Sequence, residues 1–252
     1  MKAEIGIISG SGLDDPDILK NAEDLKINTR YGQPSSPLKI GEIEGKKIIL
    51  LARHGRQHTI PPTQVNFRAN IMALKELGVK HILATTACGS LKKEIERGDL
   101  IILDQFIDFT RHRKITYYEE FAGGAENAKH TAMPDPFSKQ LRQLLIESAK
   151  ETNLKFHPKG TVVTIEGPRF STKAESKMFR IWGADVINMS IAPECILANE
   201  AGIQYAAVAM STDYDSWANE EESVTWEEIL KIFGKNIENI KKLLLLAIAK
   251  IK

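Results

Sequence analysis

Cysteine is scarce in this chain: Cys88 and Cys195 are the only two in 252 residues, and both sit in apolar or glycine-rich surroundings. That excludes a disulfide framework, and the sequence also lacks the His/Cys spacing that holds zinc, so no metal site is expected. The two thiols read as reduced, in a cytosolic protein. An excess of charge of one sign is missing too. Lys+Arg number 34 and Asp+Glu 33, a net charge of +1, so no basic face points to nucleic acid or to a membrane. Apolar runs such as Leu243 to Ile248 are far too short to span a bilayer. Met1-Lys-Ala-Glu-Ile leads straight into a strand without a signal peptide, and a cytoplasmic location is expected. In that setting the sequon Asn188-Met-Ser190 reads as accidental. Internal repeats and low-complexity linkers are absent as well. With 42% hydrophobic residues, residues 1–252 can bury a large core as a single α/β domain.

What is present is an alternation of strands and helices. Ile5 to Ser9, Lys47 to Ala52, His81 to Thr86, Leu100 to Asp104, Thr161 to Ile165, Asp185 to Met189 and Ile203 to Met210 read as strands. Several are apolar throughout, as expected of strands covered on both faces. Helices fit Gln64 to Leu77 after Pro61-Pro62, Pro136 to Glu151 after Asp135, and Lys173 to Trp182 after the capping spacing Thr172-x-x-Glu175. Thr225-x-x-Glu228 opens a last helix, Trp226 to Ile251, with apolar residues at helical spacing and a potential weak point at Gly234. Thr110 to Met133 has no clear periodicity and reads as a functional loop.

The most informative stretch is Val208-Ala-Met-Ser-Thr-Asp213-Tyr-Asp215, where two carboxylates end an apolar strand. Ligands of open α/β sheets bind beyond the carboxyl ends of strands. Two acids there ask for a metal, a base or a ligand rich in hydrogen-bond donors. Adenine, with an exocyclic amine beside N7, fits the last, and a solvated Asx turn fits equally well. Three more strand ends carry groups suited to an oxyanion. Gly10-Ser11-Gly12 offers backbone N–H groups and a hydroxyl, or is an ordinary strand-to-helix turn. It is not a full dinucleotide fingerprint, because Asp15 stands where the third glycine belongs. Arg53-His54 offers a guanidinium fork and a further donor, or is a solvated basic turn. Thr85-Thr86-Ala87-Cys88-Gly89-Ser90 adds hydroxyls and backbone N–H groups, and nothing local pairs Cys88 with a base to make it a nucleophile. Together these ends converge on one phosphate pocket.

These motifs, with Thr164-Ile-Glu-Gly-Pro-Arg-Phe-Ser171 and Gly183-Ala-Asp-Val-Ile-Asn-Met189, resemble the S-methyl-5'-thioadenosine phosphorylases over essentially the whole chain. These are the adenine-handling branch of the trimeric purine nucleoside phosphorylase family. The resemblance implies a mixed, partly barrelled central sheet flanked by helices, in a homotrimer with sites near subunit borders. It assigns Ser11, Arg53, His54, Thr86, Ala87 and Ser190 to phosphate, with Ala87 acting through its backbone. It sets Met189 against the ribose and Phe170 on the base, assigns base recognition to Asp213 and Asp215, counts Tyr214 among the substrate-binding residues, and links Ser171 to base specificity. His130 matches a residue donated by a neighbouring subunit toward the 5' end of the nucleoside. Trp226 departs from the family, which commonly has a small aliphatic residue near the 5' substituent.

The chemistry implied is phosphorolysis. Inorganic phosphate, the co-substrate, attacks C1' opposite the base, so no cofactor and no protein nucleophile are required. Asp213 quenches charge at N7 of the leaving adenine. The alternatives are a phosphorylase of broader or 6-oxopurine specificity, a non-catalytic nucleoside-binding protein, and a nicotinamide-dependent oxidoreductase, against which Asp15 argues.

Overall fold

The apolar runs become the centre of one sheet. Strand β1 (Ile5–Ser9) is buried along its whole length and lies between two parallel neighbours, β4 (Lys46–Ala52) and β5 (His81–Ser90). This computed structural model describes the chain apart from residues 1, 11–17, 153 and 219–225 and the side chains of 226, 228–233 and 235–236. From β4 the sheet continues antiparallel through β3 (Leu38–Ile43) to the polar edge strand β2 (Lys20–Leu25). On its other side β5 pairs in parallel with β11 (Gln204–Tyr214) and, at its far end, antiparallel with β10 (Val186–Asn188). From β10 the sheet runs in parallel to β9 (Thr161–Ile165) and β7 (Gln105–Phe109). Strand β11 also carries β6 (Leu100–Ile102), which pairs with β8 (Phe156–His157).

Alternate strand residues enter opposite layers, as the two-residue period of a strand requires. Ile8 packs with α1 (Phe67–Glu76) and α4 (Ile191–Glu200), whereas Ile7 packs with α2 (Lys139–Glu151) and α5 (Trp226–Lys250). A third cluster joins Phe179 of α3 (Lys173–Ile181) to Val163, Ile165 and Ile187. The expected mixed α/β sheet flanked by helices is therefore present. Among the described residues no helix is long and apolar enough to cross a membrane.

Boundaries differ from expectation where local chemistry decides. The first helix begins at Phe67, because the Asn66 side chain accepts from Ala69 N, and Pro62–Gln64 form a separate 3₁₀ turn. Ser138, not Asp135, caps α2. The Thr172/Glu175 capping box forms as read, and the backbone of α5 stays helical through Gly234. Helix α4 escaped the sequence reading. Seven of its ten residues are buried, so no polar stripe marks its period. Two strands run further than expected: β5 to Ser90 instead of Thr86, and β11 to Tyr214 instead of Met210. Asp213 thus belongs to a strand rather than to a loop.

Candidate active site

The ends of β1, β4, β5, β9, β10 and β11 meet around a cavity of about 490 Å³. Of the residues assigned from sequence, Arg53, His54, Thr86, Ala87, Phe170, Ser171, Met189, Ser190, Asp213 and Asp215 all line it.

One end is built for an oxyanion. Arg53 N donates to Ser9 O (3.1 Å), which holds the residue after β4 against the end of β1. The guanidinium lies beside Gly10. A β-carbon there would stand 2.9 Å from both Arg53 Nη1 and Thr85 O, so only glycine fits. Thr86 Oγ1 is 3.4 Å from Ser190 Oγ and accepts from Asn188 Nδ2 (3.3 Å). Asn188 Oδ1 in turn accepts from Thr164 Oγ1 (2.8 Å). This buried asparagine therefore ties the Thr86 and Thr164 hydroxyls into one frame, and its Oδ1 also lies 3.5 Å from Ser190 N.

Two details revise the phosphate end as read from sequence. Arg53 does not present its fork to the cavity. Its Nε and Nη2 donate to the two carboxylate oxygens of Glu194 (2.5 and 2.9 Å), and Nη1 donates to Thr85 O (2.8 Å). At least three of the five guanidinium N–H groups are thus committed to protein acceptors. Nor is His54 simply an added donor. Its Nδ1 lies 2.9 Å from Ile60 O, and since a carbonyl only accepts, the proton sits on Nδ1. Burial, together with the adjacent Arg53 charge, lowers its pKa to about 3, so the ring is neutral near pH 7. The remaining ring nitrogen, Nε2, is then an acceptor rather than a donor.

The other end is built for a donor-rich base. β11 bulges after Ser211: Ser211 pairs with Cys88 and Asp213 with Gly89, leaving Thr212 over. Such a bulge re-aims the following side chain. Thr212 Oγ1 lies within hydrogen-bond distance of Cys88 O (3.2 Å) and of Asp213 Oδ1 (2.7 Å). A β-carbon on Gly89 would stand 3.2 Å from Asp213 Oδ2, so this glycine makes room for the carboxylate. Ser171 Oγ lies 2.5 Å from both oxygens of the buried Asp215. Phe170 is 53% exposed although it lines the cavity, as a stacking platform for a flat ligand would be. Burial and the nearby Asp213 push the Cys88 thiol up, so it stays protonated, which fits its dismissal as a nucleophile.

Two assignments among the described residues, Tyr214 and His130, are not brought to the cavity. Ser11 lies outside the described residues, as do Asp15 and the side chain of Trp226. Tyr214 points away from it, its hydroxyl 3.5 Å from Lys93 O. His130 sits in the exposed loop, its ring 5.5 Å from that of Phe121. Sequence reasoning missed three residues that shape the site. His58 lines the cavity with its ring 4.7 Å from that of His54. Arg113 reaches from the aperiodic loop to donate to Met189 O (2.5 Å) and Glu166 O (2.6 Å), which anchors the backbone of a cavity-lining residue. The third, Glu194, carried one signal: a lone acid in an apolar stretch is a buried charge in need of a partner.

A sheet of this kind, with an oxyanion end and a carboxylate end in one cavity, defines a class. The family model described as "Phosphorylase superfamily" matches residues 4–249, and the chain belongs to that superfamily. S-methyl-5'-thioadenosine phosphorylase from Xenopus tropicalis is 53% identical over 249 residues, covering 98% of this chain and 89% of the relative. The enzyme of that name from Hyperthermus butylicus is 48% identical, covering 97% and 87%. Among solved structures, methylthioadenosine phosphorylase from Schistosoma mansoni in complex with adenine superposes with a TM-score of 0.92 at 40% identity, covering 98% and 91%. A variant of the Schistosoma mansoni adenosine/methylthioadenosine phosphorylase, in complex with methylthioadenosine, gives 0.91 at 39%, with the same coverage.

Proposed function

We propose that the protein cleaves S-methyl-5'-thioadenosine with inorganic phosphate, giving adenine and 5-methylthioribose 1-phosphate with inversion at C1'. One observation carries this reading: a single cavity holds Arg53, Thr86 and Ser190 at one end and Ser171, Asp213 and Asp215 at the other. Its relatives bear the name of that activity, and similar structures contain adenine or methylthioadenosine. In this mechanism the oxyanion end fixes phosphate below C1', and position and charge supply the acceleration. The negative phosphate stabilises the oxocarbenium-like transition state. Asp213 neutralises charge at N7 as adenine departs, and Phe170 and Met189 hold the base and ribose. The whole chain works as one phosphorylase unit in the cytoplasm and needs no cofactor. The test is release of free adenine from methylthioadenosine, with and without phosphate, beside a panel containing adenosine, inosine and methylthioinosine. Turnover is expected only with phosphate. Equal rates in its absence would make the protein a hydrolase.

The reading extends to assembly. His130 and its loop complete the site of a neighbouring subunit in a homotrimer, toward the 5' substituent. The support is the match of His130 to a residue lent across a subunit border. Its position outside this subunit's own cavity agrees with that. Sedimentation of the active protein is expected to give a trimer, and a fully active monomer would refute the shared site.

A further inference from the structure

We infer that Glu194 is a positioning residue for phosphate, acting through Arg53. The inference rests on the phosphorolytic reading above and deepens it at one end of the site. Glu194 is fully buried, and its carboxylate accepts from both Nε and Nη2 of Arg53. The hydroxyl of Tyr205, itself fully buried, donates to the same carboxylate at 2.8 Å. With Thr85 O holding Nη1, the guanidinium is fixed in its plane from two sides. An arginine at a cavity wall otherwise has several rotamers to lose on binding an anion. Here that loss is met when the chain folds.

The helix explains why a carboxylate is tolerated there. Glu194 lies in the first turn of α4, where unpaired N–H groups and the helix dipole favour negative charge. Ser190, assigned to phosphate, is the N-cap of the same helix. One helix start therefore delivers a hydroxyl to the anion and, one turn on, the group that aims the arginine. The arrangement also renders the Arg53–Glu194 pair neutral overall, so Arg53 serves phosphate by geometry more than by net charge.

The two roles predict opposite results for Glu194→Gln, which keeps the shape but offers one acceptor in place of two. If Glu194 positions Arg53, the KM for phosphate rises about tenfold or more. The nucleoside KM at saturating phosphate, and adenine binding without phosphate, stay within about twofold. Glu194→Asp, which keeps the charge on a shorter arm, is expected to fall between wild type and Glu194→Gln. If Glu194 merely restrains a surplus cation, removing its charge lowers the phosphate KM, and the inference is overturned. An unchanged phosphate KM overturns it too, as does a variant that loses stability and both substrates alike. Should Glu194→Gln not fold, Tyr205→Phe removes one bond to the carboxylate and keeps the ring. It is expected to raise the phosphate KM about threefold while sparing the nucleoside KM, and no selective effect would again overturn the inference. The wild-type phosphate dependence is measured alongside. Its absence sinks the phosphorolytic reading itself, a distinct failure.

Discussion

Arg53→Ala is expected to remove most phosphate use and to weaken the fold at the same time. Truncating one partner of a buried charge-assisted pair costs about 2–5 kcal/mol of binding, roughly 30-fold to several thousand-fold in kcat/KM for phosphate. The same change strands Glu194, which is fully buried and bonded to Arg53 through both oxygens. An uncompensated buried charge costs about 3–5 kcal/mol of stability, a large part of the margin of an ordinary domain. Tyr205 can still donate to Glu194 and offsets only part of that. Kinetics with phosphate as the varied substrate, and denaturant unfolding, read the two losses separately. Arg53→Lys restores a charge without the planar fork, so it is expected to recover stability more than phosphate use. A well-folded Arg53→Ala protein with normal phosphate kinetics would remove Arg53 from the phosphate site.

Asp213→Asn is expected to relax or reverse the preference for 6-aminopurines. A carboxylate accepts from the 6-amino group of adenine but faces the 6-oxo group of hypoxanthine acceptor to acceptor. Leaving such a pair unmatched costs about 1–3 kcal/mol, and sites built on polar matching discriminate by orders of magnitude. The substitution is mild for the fold: Asn keeps an oxygen for Thr212 Oγ1, now 2.7 Å from Asp213 Oδ1, and changes only the other atom. That atom becomes a donor, suited to a 6-oxo group. Adenine release should slow as well, since an amide does not protonate N7. The comparison is kcat/KM for methylthioadenosine against methylthioinosine in both proteins. If the ratio is the same in the two, Asp213 is not the base reader.

The sheet and most of its ligand-facing ends were legible because parallel strands covered on both faces are written as apolar runs, as in Ile5 to Ser9 and Ile203 to Met210. The capping box of α3 was legible because it is a local chemical rule. What stayed hidden was set by partners distant in sequence. Arg53 reads as a fork for an anion, yet its fork is closed by a residue 141 positions away. The donor of His54 is spent on Ile60 O, which no motif announces. Strand β2, exposed and polar, has no pattern to find and exists because β3 offers it an edge. The end of β11 was misplaced because a bulge lets pairing continue where a polar, loop-like run begins.

Strand β5 gives the site its scale. Thr86 stands beside Ser190 at one end of the cavity, and Gly89 faces Asp213 at the other. Three residue steps of extended chain separate them, about 10 Å at roughly 3.3 Å per residue. The distance between the two ends of the cavity is therefore a covalent pitch, held by neighbours on both sides of the strand, and it does not depend on how a loop settles. Either end can be re-lettered, a hydroxyl here or a carboxylate there, and the interval is conserved. A one-residue insertion within this run would stretch the ruler itself and flip its downstream faces, putting the two ends out of register where a point change would alter only one of them.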